Sequence, residues 1–184
     1  SLEWAERSDL LAELARIPDY IQQALPVEED IKGIVPRYRY MEECVVTGRG
    51  LNYCTALEAA LKIKETSYVG AQPYSAADFL HGPIAIVEEG FPVFAIAPPG
   101  HTFENMVELC KELRSKKAET LVLSSAPRIL DIATIPLRMP FELDEVFTPL
   151  VYIVPMQLFS YHLAVVKGFN PDEPRGLRKV TLTR

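Results

Sequence analysis

Glu58, Lys62 and Glu65 recur at i, i+4 and i+7, and at about 100° per residue they share a narrow stripe of one helix face. Two carboxylates around an ammonium can serve as an acid and a base of different strength, because burial raises one pKa while the cation holds the other group ionised. The same spacing is also the commonest surface stabiliser of a helix. The stripe is therefore either a solvated ladder or a site. His81 stands directly before Gly82-Pro83, a pair that forces an abrupt turn. An imidazole there could move protons near neutral pH, although a lone histidine more often serves structure. Lys179 lies in a terminal stretch without hydrophobic period, behind Pro171, Pro174 and Arg175. That tail is either frayed or, stiffened by its prolines, folded back within reach of a site.

The elements that must carry these groups follow from local pattern. Ala56 to Ile63 holds mostly strong helix formers, and no glycine or proline falls between Leu51 and Val69. Ala56, Leu57, Ala59, Ala60, Leu61 and Ile63 make most of the remaining circumference apolar, which predicts a helix packed on several sides and a charged stripe that is costly unless paired or facing a cleft. Ahead of it, the β-branched run Cys44 to Gly48 reads as a strand leading through Gly48-Arg49-Gly50 into the helix. Such a turn could hold an anion. G-R-G lacks the dinucleotide fingerprint, so a plain tight turn is the simpler expectation. Further strands are predicted at Phe91 to Pro98, Leu121 to Leu123, and Ile135 to Met139, the last edge-like because of its prolines. A helix capped by Thr102 should run to about Ser115. Alternating strands and helices imply a parallel sheet covered on both faces, with ligands at the carboxyl ends of the strands. Gly48 and the loop of His81 would both lie near that edge.

At the amino terminus Leu10, Leu14, Ile17 and Ile21 keep helical spacing with Ser8 available as N-cap, and Pro18 predicts a break near Ile17. A second short helix should reach Tyr38 or Tyr40, so residues 1–40 read as a helical connector.

A length of 184 residues suits one domain with a sizeable core, and a formal charge of −6 without any basic run argues against nucleic acid. Cys44, Cys54 and Cys110 have no C-x-x-C spacing and read as reduced core residues of a cytoplasmic protein, implying no metal site. No basic segment followed by an apolar core marks a signal peptide. From Phe147 to Val166 there is no charged residue, a length that could span a bilayer. Pro149, Pro155, Gln157, Ser160 and His162 interrupt it, so a soluble buried helix with Thr148 as N-cap and no membrane contact is expected, His162 being structural.

The order L-E-A-A-L-K-I-K-E-T-S-Y from Leu57, then A-Q-P-Y-S-A-A-D-F-L-H-G-P-I-A-I-V from Ala71, together with Gly48-Arg49-Gly50 and the tail D-E-P-R-G-L-R-K from Asp172, resembles the sugar isomerase (SIS) domain family. The resemblance is to the second SIS domain of the glucosamine-6-phosphate synthases and their glutaminase-less isomerase and deaminase relatives, and it covers nearly the whole chain. It implies a three-layer α/β/α sandwich, flavodoxin-like, with about five parallel strands: an SIS domain at 41–168 and a tail at 169–184 folding over the site. It implies a sugar phosphate as ligand, no cofactor, and a homodimer or packing against another SIS domain.

Carried over residue by residue, Glu65 matches the acid/base that shuttles a proton between C1 and C2, His81 the ring-opening residue reaching a neighbouring subunit's site, and Lys179 the lysine that forms a Schiff base. Glu58 and Lys62 match the charged pair that orders the site. Burial is expected to separate the two carboxylates electrostatically. The chain departs from the family in several ways, among them a tail that continues differently after Lys179. There is no Ser/Thr-rich phosphate loop, Ser124-Ser125 being the nearest candidate; no N-terminal cysteine of a glutaminase is present; and Leu80 replaces a charged residue of the synthases. The chain could thus be half of a longer enzyme. Two functions stay open: a hexose or hexosamine 6-phosphate isomerase, aminotransferase or deaminase, and a module that binds sugar phosphate without turnover.

Overall fold

Near-continuous apolar runs bury strands on both faces, and here they build the centre of the molecule. The computed structural model describes residues 4–176. Strands β1 (Glu43–Gly48), β2 (Gly70–Ser75), β3 (Pro92–Ile96), β4 (Glu119–Ser124) and β5 (Ile135–Arg138) form one sheet in the order β2-β1-β3-β4-β5, and every pairing is parallel. Alternate side chains leave opposite faces. Val46, Phe94, Ile96, Leu121, Leu123 and Leu137 enter one core, and Val45, Val93, Ala95 and Val122 enter the other. Helices cover both. The first core is closed by α2 (Ile17–Ala24), α3 (Val27–Ile34), α4 (Asn52–Ser67) and α8 (Thr148–Lys167); the second by α5 (Ala76–Leu80), α6 (Phe103–Ser115) and α7 (Pro127–Leu130). This is the expected three-layer, flavodoxin-like sandwich.

β2 has no hydrophobic alternation to announce it and contains Pro73, which pairs with Val46. An edge strand tolerates proline because one of its sides needs no donor. β5, with Pro136, occupies the other edge as expected.

The chain enters through α1 (Trp4–Ala15), which breaks at Arg16 before Pro18 as its position predicts. Ser8 lies inside α1 rather than capping it. α3 continues as a 3₁₀ turn, Val35–Tyr38. Tyr38 then packs its ring 5.5 Å from both Phe94 and Phe159.

α8 is long and apolar enough to cross a membrane by length and composition. Its Val151, Tyr152, Met156, Phe159 and Leu163 instead fill the first core. Two expected caps are corrected. Phe147, not Thr148, precedes α8, and Thr102 stands at the start of α6 without its side chain bonding that helix. Both threonine hydroxyls serve longer-range bonds at the carboxyl edge of the sheet.

Candidate functional site

α4 runs from the carboxyl edge of the sheet, where Asn52 follows β1, back to the amino edge, where Gly70 pairs with Glu43. It buries Ala56, Ala59, Ala60 and Ile63, the three alanines allowing close approach to α8 and the sheet. The Thr66 hydroxyl ties its far end to the Ser160 carbonyl at 3.2 Å. The expected packing on several sides is met against α8 and the sheet but leaves one flank open, where Leu57 and Leu61 each remain 42% exposed.

Along the boundary between the buried and open faces lie Glu58, Lys62 and Glu65. Lys62 Nζ donates to Glu65 Oε2 at 2.7 Å and stands 3.6 Å from Glu58 Oε1. The bond to Glu65, with both carboxylates nearby, raises the Lys62 pKa from its ordinary value. The side chains of Lys62, Glu65 and Glu58 are 34%, 31% and 42% exposed. The burial expected to separate the two carboxylates is therefore not built by this chain alone. Glu65 occupies the last turn of α4, which ends at Tyr68 in the left-handed conformation (φ 56°).

The carboxyl edge has a different character. Gly48 packs so tightly that an added Cβ would strike the Asn52 carbonyl, and Gly50, at φ 57°, would bring one to 2.9 Å from Thr102 Cγ2. These glycines make a close-packed turn, the simpler of the two expectations. Glu145 holds the facing loop: its carboxylate accepts the His101 N–H at 2.6 Å and the Thr102 hydroxyl at 3.0 Å. Beneath it the Thr148 hydroxyl donates to the Glu145 carbonyl at 2.8 Å and accepts from Asn52 Nδ2 at 2.7 Å, while Thr55 donates to Asn52 Oδ1 at 3.3 Å. Asn52, Thr55 and Thr148 are all buried. No local sequence pattern marks this network, whose members lie far apart in the chain.

Ser75, at the end of β2, pairs with Gly48, and its hydroxyl accepts from Arg49 Nη1 at 2.9 Å. His81 follows α5 on this same side, exposed, its imidazole without a hydrogen bond among the described residues. About 20 Å of helix separates Asn52 from Glu65 at the α-helical rise. One chain thus brings Glu58, Lys62 and Glu65 together on α4, whereas His81 follows α5, which covers the second core. Lys179 lies outside the described residues.

Other expectations resolve locally. Ser124 is buried, and its hydroxyl accepts the Ala126 N–H at 3.1 Å within its own turn. His162 is structural in position, its Nε2 2.8 Å from Glu28 Oε1, bridging α8 to α3. Cys44 and Cys110 are buried, their thiols pushed up to about 12 by desolvation. Cys54, expected in the core, is exposed on the open side of α4.

A doubly covered parallel sheet of this strand order, with charged groups on the helix after β1, defines a class of α/β ligand-binding domains. Residues 41–167 match the family model described as SIS domain, and the chain belongs to the SIS domain family. It is similar to the glutamine–fructose-6-phosphate aminotransferase (isomerizing) of Pyrococcus horikoshii, 41% identical over 172 residues that cover 94% of this chain and 29% of that protein. Among solved structures, the C-terminal domain of glucosamine-fructose-6-phosphate aminotransferase from Francisella tularensis superposes with a TM-score of 0.84 at 28% identity, covering 94% of this chain and 49% of that one. Tagatose-6-phosphate ketose/aldose isomerase from Escherichia coli shares the fold, with a TM-score of 0.76 at 22% identity over 91% of this chain and 47% of that one. The chain therefore spans less than a third of the curated relative and about half of each solved one.

Proposed function

We propose that this chain is the C-terminal half of a two-SIS-domain cytoplasmic enzyme that interconverts aldose and ketose forms of a hexose or hexosamine 6-phosphate, with amination or deamination at C2. Residues 1–40 are its connector, 41–168 the SIS domain and 169–184 the tail. The observation that carries this reading is the Lys62–Glu65 pair flanked by Glu58, held at the margin of an open apolar surface. Leu57, Leu61 and Leu150 are exposed there, and a cavity of about 310 Å³ lies between Glu58 and Leu150. A carboxylate that moves a proton between carbons works best when desolvated. A second SIS domain or subunit on that surface would complete the burial.

In this scheme the Lys179 amine adds to the C2 carbonyl of the open keto sugar and water leaves, forming an imine. Ammonia then displaces the Lys179 amine at C2, and Glu65 takes a proton from C1 of the resulting imine and returns it to C2, giving the 2-amino aldose, while Lys62 and Glu58 hold its charge and orientation. His81 of a neighbouring subunit opens the ring, a role that accords with α5 and α4 covering opposite faces of the sheet within one chain. Deuterium exchange from D2O into C1 and C2 of fructose 6-phosphate and glucosamine 6-phosphate, followed by NMR, tests the proton transfer. Glu65→Gln should lower exchange at least about 100-fold, the usual worth of a positioned acid/base. Exchange that persists in the variant would sink this role for Glu65.

A second reading, sugar-phosphate binding without turnover, is favoured by the exposure of Glu58 and Glu65 in this chain, which leaves both carboxylates without the desolvation that proton transfer from carbon calls for. It expects no exchange, and unchanged ligand affinity after Glu65→Gln.

A further inference from the structure

A groove follows the free edge of β5, where two cavities of about 540 and 310 Å³ share Asp30 and Arg138 in their linings. β5 ends the sheet, so one side of its backbone has no neighbouring strand. In a parallel ladder, alternate residues turn both of their backbone groups to the same side. Directly after β5 the Met139 N–H donates to the Ser124 carbonyl at 2.9 Å. Ile135 and Leu137 therefore bond inward to β4, and the backbone of Pro136 and Arg138 faces the groove. Pro136 has no N–H to offer there, but its carbonyl and both backbone groups of Arg138 are open.

The walls of the groove are acidic. Glu29 and Asp30 stand on α3, which closes the first core, and Asp131 directly follows α7, which closes the second. Glu29 accepts from Lys32 Nζ at 2.8 Å. The carboxylates of Asp30 and Asp131 are exposed and make no hydrogen bond or ion pair among the described residues. Because they belong to opposite faces of the sheet, a strand lying between them would meet a carboxylate with the side chains of either of its faces. Arg138 is the one cation in the two linings. A second copy of this chain would set the same carboxylates against one another across a two-fold, on molecules of formal charge −6. A segment carrying lysine or arginine would be attracted instead. Gly33 leaves room for it on the α3 wall, since a Cβ there would meet nothing within 4 Å.

We propose that the β5 groove docks an extended, basic segment of a partner protein, which adds to the sheet as a further strand. The open backbone groups of Pro136 and Arg138 supply the main-chain bonds, and Asp30 and Asp131 select lysine or arginine side chains. The missing donor at Pro136 limits pairing with strands that lack this charge, as prolines on free edges do. The inference does not rest on the function proposed above, because it uses neither α4 nor the tail.

Fluorescence anisotropy with the full chain tests this, using a fluorescein-labelled peptide of alternating lysine and valine. Its controls are the glutamate–valine counterpart and the lysine peptide with its backbone nitrogens methylated, which keeps the charge and removes the donors. The lysine peptide should bind, more tightly at low salt, and the glutamate peptide should not. Methylation should weaken binding by about tenfold or more, the worth of two lost main-chain bonds. Asp30→Asn and Asp131→Asn should each weaken it by about two- to fivefold, as expected of exposed ion pairs. Gly33→Leu places a side chain in the groove while favouring the helix, so binding should be lost with no fall in the urea unfolding midpoint. A lysine peptide that does not bind, that binds as well when methylated, or that binds Gly33→Leu as it binds the wild type would overturn the proposal. So would a dimer on gel filtration that Gly33→Leu dissociates, since the occupant would then be a second copy.

Discussion

The two ends of α4 are built on opposite terms. At its amino end, Gly48 and Gly50 press against Asn52 and Thr102, and the buried Thr148, Asn52 and Thr55 satisfy one another beneath the partly exposed Glu145. Toward its carboxyl end, Glu58, Lys62 and Glu65 stand about a third or more exposed beside uncovered leucines. The rule that ligands gather at the carboxyl ends of parallel strands points to the first end. There, however, the chain has filled the space beside the Gly48 turn with its own side chains and closed its own hydrogen bonds. Groups with usable charge lie along the flank of the helix instead, where another surface can complete them. The closed end supports the fold, and the open one is available to chemistry.

This contrast can be broken by substitution. Gly48→Ala should be the most damaging change, because the new methyl meets the Asn52 backbone rather than a movable side chain. A loss of about 3 kcal/mol in urea unfolding is expected. Asn52→Ala removes the donor to Thr148 and the acceptor for Thr55 inside the protein, at a cost of about 1–3 kcal/mol. Thr148→Val made in the same background should add less than its single-variant cost, since both remove one bond. Glu65→Gln breaks a partly exposed ion pair and should change stability by no more than about 1 kcal/mol while proton exchange is lost. If it destabilised the chain as much as Asn52→Ala, the two ends would not differ as described.

The smallest effects are electrostatic. Lys62 is held above its ordinary pKa of 10.5, chiefly by Glu65. Its contribution to stability is complete below that value and fades as pH rises through the higher folded one. Glu28 is held below its ordinary 4.5, chiefly by the His162 hydrogen bond. Its contribution is present above 4.5 and lost as pH falls through the lower folded value. Unfolding midpoints across pH, compared with Lys62→Met and Glu28→Gln, should show a small alkaline difference for the first and a small acidic one for the second.

Legibility followed the range of the interaction. The break at Pro18, the buried strands from Val93 and Leu121, and the Glu58/Lys62/Glu65 stripe are all written within a few residues of sequence. β2 was not, because an edge strand carrying Pro73 has neither alternation nor a β-branched run. Thr102 and Thr148 show why capping residues mislead: each sits at a helix start, and each spends its hydroxyl outside its own helix, on Glu145 and, for Thr148, also Asn52. Cys54 and Leu61 were expected to be covered because α4 is apolar on most sides, yet coverage depends on how many neighbours the fold supplies.

By itself the sequence determined the layers, through near-continuous apolar strands and helical periods of 3.6 that leave few ways to bury a parallel sheet. It also determined which charged groups share a helix face. Tertiary structure alone decided that the glycine turn is filled, that one flank of α4 is open, and that Tyr68 receives Arg175 from 107 residues away. Periodicity is a property of neighbours along the chain, whereas these three outcomes depend on which surfaces the completed fold brings into contact.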